Sequence, residues 1–125
     1  MKLIMAIIRI DKMNETKRAL SDAGLPSMTA TGKVFGRGKG LWEAKVLEGV
    51  KNDLPEALAH LNKEPRLRPQ RVVTLVVTDD KLRTAVETII DANQTPAAGD
   101  GKIFVIPLHE SVRIRTGETG DLTLD

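Results

Sequence analysis

The chain has 125 residues, a formal charge of +2 and no cysteine. That length suits one domain with a modest core, and so small a positive charge gives no bulk attraction to nucleic acid. Disulfides and thiolate metal sites are excluded, and no stretch approaches the ~20 apolar residues of a membrane span.

Hydrophobic residues make up 41% of the chain, yet Phe35, Trp42 and Phe104 are its only aromatics. The core must therefore be built from Ile, Leu, Val, Ala and Met. Residues 1–8 lack a small-residue cleavage site behind them and read as a strand rather than an export signal, so a cytoplasmic protein is expected.

Residues 2–10 are almost continuously apolar, which predicts a strand covered on both faces or at a subunit contact. Asp11 is placed to cap a helix running to about Ala23, with Met13, Ala19, Leu20 and Ala23 as its apolar stripe. Gly24 is its expected stop, supported by Pro26. A second strand is expected over residues 27–35, weakened by Gly32. Residues 71–78 (RVVTLVVT) form the clearest strand by β-branched content. Asp79 or Asp80 should cap a second helix through Ala92, with Leu82, Ala85, Val86, Ile89 and Ile90 inward. The run at 103–106, closed by Pro107, reads as a buried last strand. This strand–helix–strand–insertion–strand–helix–strand order predicts an α+β, ferredoxin-like βαββαβ sandwich: an antiparallel sheet with both helices on one face. The other face is left bare, and its apolar strand residues predict an oligomer.

The insertion at about 36–69 is too long for an ordinary connection in so small a domain, which marks it as functional or disordered. It begins with Gly36, Arg37, Gly38, Lys39 and Gly40. A short helix is expected over residues 53–61, with Asp53 as N-cap and Pro55 in its first turn.

The stretch 95–116 carries the candidate chemistry. Pro96, Ala97, Ala98, Gly99, Asp100 and Gly101 make a turn-rich loop, and Lys102 stands at its exit. Arg113 and Arg115 alternate with Val112 and Ile114, which on an extended segment would put both guanidinium groups on one face. Glycine-loop amides, a lysine and two parallel arginines suit a polyphosphate, since each guanidinium can grip phosphate oxygens in a bidentate way. The alternative is a plain hairpin turn followed by solvated arginines. Their clustering between Lys102 and Arg115, behind one loop, favours the anion.

Gly99-Asp100-Gly101-Lys102-Ile103-Phe104-Val105 followed by Arg113-Ile114-Arg115-Thr116-Gly117-Glu118 resembles the B-loop and C-terminal signature of the PII nitrogen-regulatory proteins. The N-terminal residues 1–9 (MKLIMAIIR) and Phe35-Gly36-Arg37 match the same family in the same order. The resemblance spans the chain except roughly residues 38–69. It implies a single PII-like domain over 1–125, with a T-loop at about 36–69, a nucleotide B-loop at 95–102 and a C-terminal segment at 108–125. It further implies a trimer with ATP or ADP in each cleft between neighbouring subunits. Gly99, Asp100, Gly101, Lys102, Arg113 and Arg115 would hold phosphates, and Arg37 would reach over from the T-loop base. Ile7, Thr29, Phe35, Gly36 and Val76 would line the adenine and ribose side, although Ile7 and Val76 fit plain core strand positions equally well.

The family also senses 2-oxoglutarate, through a Mg²⁺ ion bridging it to ATP and held by a T-loop glutamine, with a lysine before the third strand pairing its carboxylate. Here Gly38 and Gln70 occupy those two positions. A glycine has no side-chain oxygen and a glutamine no charge, so the usual site should be weakened. Arg9, Lys39, Gly40 and Gln70 remain as candidates for 2-oxoglutarate. With no tyrosine in the chain, nucleotidylation of a T-loop tyrosine is absent, and signalling is expected to run on ligand binding alone.

Gly36-Arg37-Gly38-Lys39-Gly40-Leu41, Leu47-Glu48-Gly49 and residues 113–121 (RIRTGETGD) are most similar to the nitrogenase-associated PII subgroup. Its members act in pairs of paralogues, which implies either a homotrimer or a hetero-oligomer. They are implied to block dinitrogenase when nitrogen is plentiful, with 2-oxoglutarate and ATP relieving the block. Trp42 in the insertion, with Arg66 and Arg68 on its return leg, are the partner-contact candidates. An ammonium transporter is the alternative partner, although that task usually employs an arginine at the T-loop tip. A small ferredoxin-like ATPase is the third reading, and it lacks a base or nucleophile near the loop. His60 and His109 have no metal-ligand spacing and read as surface residues. No catalytic residue is expected.

Overall fold

The computed structural model describes residues 1–36 and 67–124. Strand β1 (Lys2–Arg9) lies inside an antiparallel sheet, between β4 (Arg68–Val77) and the edge strand β5 (Gly101–Pro107). Its register sets Leu3 opposite Val76, Ile7 opposite Val72 and Arg9 opposite Gln70 on one side. On the other side it sets Met5 opposite Phe104 and Ile7 opposite Lys102. The expected second strand is broken into β2 (Thr29–Ala30) and β3 (Val34–Gly36), both paired with β4. Ala30 faces Val73 and Val34 faces Gln70, so four steps on one strand span three on the other. The extra residue makes a bulge around Gly32. Thr31 bridges the bulge: its amide donates to Val72 O (2.9 Å), and its hydroxyl oxygen accepts from Val72 N (3.0 Å).

The expected α+β topology is realised, with the sheet order β2–β4–β1–β5. Helix α1 (Met13–Asp22) buries Met13, Thr16 and Leu20, and α2 (Leu82–Asn93) buries Ala85, Ile89 and Asn93. The 3–4-residue spacing puts each set on one helical face. These faces pack on Ile4, Ala6, Ile8, Val73, Leu75 and Val77, which alternate along β1 and β4 and are at most 4% exposed. Within this layer Asn93 Nδ2 donates to Thr16 Oγ1 and to Ile89 O, both at 2.9 Å, while the Thr16 hydroxyl donates to Lys12 O (2.7 Å). Polar residues do not register in a hydrophobic stripe, so this buried pair was not foreseen.

Gly24 stops α1 as expected. At φ +80° it sits in the left-handed region, with Leu25 N donating to Leu20 O and Gly24 N to Ser21 O. That pair of bonds is a Schellman motif, and it tucks Leu25 into the core beside Leu20.

Several expectations are corrected. Asp11, Asp79 and Asp80 cap nothing through their side chains, because each helix is entered through a 3₁₀ turn, Ile10–Lys12 and Asp79–Lys81. At the second entrance the backbone closes the turn itself, Lys81 N donating to Thr78 O (3.0 Å), and Asp79 pairs with Lys2 Nζ (3.3 Å). Ile90 lies on the flank of α2 and is 40% exposed; Ala23 is exposed as well. The run at 103–106 is not buried: Phe104, Val105 and Ile106 are exposed because β5 is an edge strand paired only with β1. Finally, the segment bearing Arg113 and Arg115 is not extended. A single bridge, Val112 to Thr119, is followed by a turn at 114–116. It closes through Gly117 N to Arg113 O (2.7 Å), with Gly117 at φ +73°. The two arginines therefore do not share a strand face.

Candidate functional site

The loop between α2 and β5 is organised by its own side chains. Asp100 folds back on Thr95: the Thr95 amide donates to Oδ2 and the Thr95 hydroxyl to Oδ1, both at 2.6 Å. Thr95 Oγ1 also accepts from Ala97 N (3.2 Å). Arg9, reaching from the end of β1, donates from Nε to Gly99 O (3.2 Å) and from Nη2 to Ala98 O (2.9 Å). Its Nη2 also lies 3.2 Å from Asp100 Oδ1. The Thr95 hydroxyl first, then its amide, hold the Asp100 carboxyl below the usual carboxylate range, and the Arg9 charge adds to this.

Gly99 and Gly101 both have positive φ, +97° and +115°. A Cβ on Gly101 would run into the carbonyl oxygen of Ile7, so the strand can approach β1 here only as glycine. Lys102 then emerges exposed, opposite Ile7. The amides of Gly99 and Asp100 have no hydrogen-bond partner among the described residues. Free donors in tandem beside an exposed lysine are what an anion can accept from.

The structure brings some of the expected residues together and separates others. Ile7, Arg9, Lys102, Gln70, Gly36 and Phe35 gather at the loop end of the sheet. Gln70 lies against Gly36, where a Cβ would collide with its side-chain amide. Phe35 is 62% exposed and Arg68, opposite Gly36, is exposed too. Val76 pairs with Leu3, four strand residues from Ile7, about 13 Å away along the sheet. Together with Thr29, Leu3, Met28, Thr74 and Thr123 it lines a separate cleft of about 420 Å³. Arg113 and Arg115 follow the far end of β5, about 20 Å of strand beyond Gly101. Arg113 Nη1 donates to Glu118 Oε1 (3.0 Å) and its Nη2 to Leu122 O (3.2 Å). Arg115 is exposed with no such partner among the described residues. No cluster of metal-ligating side chains occurs among the described residues, and His109 stands exposed on the C-terminal segment.

A family model described as nitrogen regulatory protein P-II matches residues 1–118. The chain belongs to this P-II family.

Among P-II relatives it is similar to the nitrogen fixation nifHD region GlnB-like protein 2 of Methanobacterium ivanovii, at 43% identity over 97% of each chain. The like-named protein of Methanococcus maripaludis is 41% identical over 99% of this chain and 100% of its own. A nitrogen regulatory protein P-II from Cereibacter sphaeroides is 39% identical over 97% of each. No described helix of this P-II chain is long and apolar enough to cross a membrane.

The T-loop positions Arg37, Gly38, Lys39, Gly40, Trp42, His60 and Arg66, and the expected helix at 53–61, lie outside the described residues. The described ends of that insertion are antiparallel neighbours, Gly36 opposite Arg68 and Phe35 opposite Pro69. Pro69 is tolerated because β1 ends at Arg9, opposite Gln70, and leaves that side of β4 without a strand neighbour. Sequence reading passed over Thr95, whose hydroxyl and amide anchor the loop. The available signal was a Thr and an Asp five residues apart around proline and glycine, a pattern in which side chains close turns on the backbone. It also passed over Thr123, whose place beside Thr29 and Val76 depends on the path of the C-terminal segment.

Proposed function

We propose that this P-II chain is a nitrogen-status signalling protein that binds ATP or ADP between subunits and controls a partner through its long insertion. The observation that carries the reading is the loop at 95–102. Its Gly99 and Asp100 amides have no partner among the described residues, Lys102 stands exposed at its exit, and Thr95 and Asp100 hold its shape. These donors suit phosphate oxygens, and the cleft beside Val76 and Thr29, lined by both polar and apolar side chains, has the size of a small-ligand pocket.

A single chain leaves these parts apart, with Arg113 and Arg115 beyond the far end of β5. Assembly through the open sheet face would let one copy's loop meet another copy's cleft or arginines. The exposed Phe104 and Ile106 on that face support this trimeric arrangement. Magnesium would accompany the ATP phosphates, with no protein carboxylate assigned to it. Lys39, Gly40 and Gln70 are the nearest candidates for a 2-oxoglutarate carboxylate or carbonyl. The names of the relatives, which place them in the nifHD region, support nitrogenase or its regulation as the target. The names of P-II relatives as nitrogen regulatory proteins support action by binding rather than turnover.

Calorimetric titration with ATP, with and without Mg²⁺ and 2-oxoglutarate, tests this reading. Tight ATP binding by an oligomer of three chains, strengthened by 2-oxoglutarate, is the expected result. Absence of nucleotide binding refutes the reading. ATP binding indifferent to 2-oxoglutarate leaves an adenylate-charge sensor.

A further inference from the structure

Arg9 stands at the end of β1 with its guanidinium turned into the loop. It donates to two consecutive carbonyls, Ala98 O at 2.9 Å and Gly99 O at 3.2 Å, and pairs with Asp100 Oδ1 at 3.2 Å. A trans peptide points its C=O and the following N–H to opposite sides, and none of the described peptides is cis. Drawing the Ala98 and Gly99 carbonyls toward Arg9 therefore drives the N–H groups of Gly99 and Asp100 the other way. Neither of these amides, nor that of Ala98 before them, has a hydrogen-bond partner among the described residues. One side chain thus sets the direction of both donors, and Thr95 and Asp100 pin the ends of the segment around them.

Resting on the reading of this loop as a phosphate cradle, we propose that Arg9 is a positioning residue for the nucleotide phosphates: it orients the Gly99 and Asp100 amides and does not itself touch the ligand. Three of its interactions are internal to the loop. Its planar fork meets two carbonyls and a carboxylate at once, which a lysine ammonium on a flexible stem does not reproduce. The function of Arg9 is geometric, and its charge alone does not substitute for it.

The experiment uses full-length protein with Arg9→Lys and Asp100→Asn, titrated with ATP and separately with inorganic tripolyphosphate. Arg9→Lys should weaken both ligands by roughly 10- to 100-fold, the range for lost hydrogen bonds to a charged group. Its unfolding temperature should stay near that of the parent. Asp100→Asn, which keeps the shape of the side chain and removes its charge, should lower affinity less. In ligand-free protein, the Gly99 and Asp100 amide resonances should shift in Arg9→Lys, and the Asp100 carboxyl should titrate closer to the ordinary range. Parent protein that binds neither probe refutes the cradle itself. Parent protein that binds both, with Arg9→Lys binding equally well, refutes only the positioning role. Unchanged loop resonances in Arg9→Lys refute it too, whatever the nucleotide result. A loss confined to 2-oxoglutarate, with ATP and tripolyphosphate unaffected, would make Arg9 an effector ligand instead.

Discussion

Across the strands β1 and β4, one face of the sheet carries Ile4, Ala6, Ile8, Val73, Leu75 and Val77, all sealed beneath the two helices at 0–4% exposure. The opposite face of the same strands carries Leu3, Met5, Ile7, Val72 and Val76, which are only partly buried, and Phe104 and Ile106 beside them on β5 are exposed. Residue type does not separate the two faces. What separates them is what lies on top: α1 and α2 on the first, and on the second, among the described residues, little beyond the C-terminal turn near Thr123 and Leu124. A closed face stabilises the chain. Exposed apolar faces of this kind commonly mark interaction sites, which is the basis of the proposed assembly.

Breaking the closed face should have the largest effect. Leu20→Ala removes a fully buried side chain from the helix layer and should lower stability by about 2–5 kcal/mol in urea or thermal unfolding. If Phe104→Asp on the open face were equally destabilising to the isolated chain, the contrast would collapse. It should instead leave the helical circular dichroism intact and reduce the scattering mass toward that of one chain. Persistence of a trimer in that variant would relocate the interface.

Glycines sharpen the comparison at the loop end. Gly101→Ala must shift the Ile7 carbonyl and hold a side chain at φ +115°. The expected penalty is about 1–3 kcal/mol, together with loss of ATP binding. Gly24→Ala, at φ +80° with open space around it, should cost about 1 kcal/mol and leave ATP affinity as it was. Similar affinities in the two variants would mean that the loop is not the phosphate site.

The smallest effect concerns pH. The folded-state pKa of Asp100 is depressed, chiefly by the Thr95 hydroxyl and amide. Its contribution to loop order is therefore complete above the ordinary carboxylate range and is lost as pH falls through the depressed value. Carboxyl NMR titration should show Asp100 protonating below the ordinary carboxylate range, with Gly99 and Gly101 amide shifts following the same curve. In Thr95→Val that curve should move up.

Much of the fold was legible from the chain itself. Gly24, supported by Pro26, announced the end of α1, the β-branched run 71–78 announced the central strand, and the 3.6-residue spacing of Ala85 and Ile89 announced a buried helix face. These signals are local, involving partners within one turn or one strand. The helix entrances misled because a 3₁₀ turn satisfies early amides through the backbone, and no composition rule distinguishes that from an aspartate cap. The bulge at Gly32 was half visible as a weak strand, but its single-residue offset exists only in the pairing with β4. In the candidate site, Gly99, Gly101 and Lys102 were legible because a glycine pair at positive φ leaves a strong trace in sequence. Arg9 was noticed as a cation, yet its engagement by Ala98, Gly99 and Asp100 spans some 90 residues of chain, and nothing near Arg9 records it.

By itself, then, the sequence determined the order of elements, the αβ layering and the existence of a glycine loop followed by a lysine, since each depends on short-range sterics and periodicity. Only the tertiary structure decided which apolar face is closed, where β5 sits and what each arginine is bound to. Arg113 turns to Glu118 and Leu122, while Arg9 turns to the loop and aims its amides outward. A charged side chain adopts whichever partner the folded backbone brings within hydrogen-bond reach, and that juxtaposition is set by strand register over long sequence separations rather than by the residues on either side.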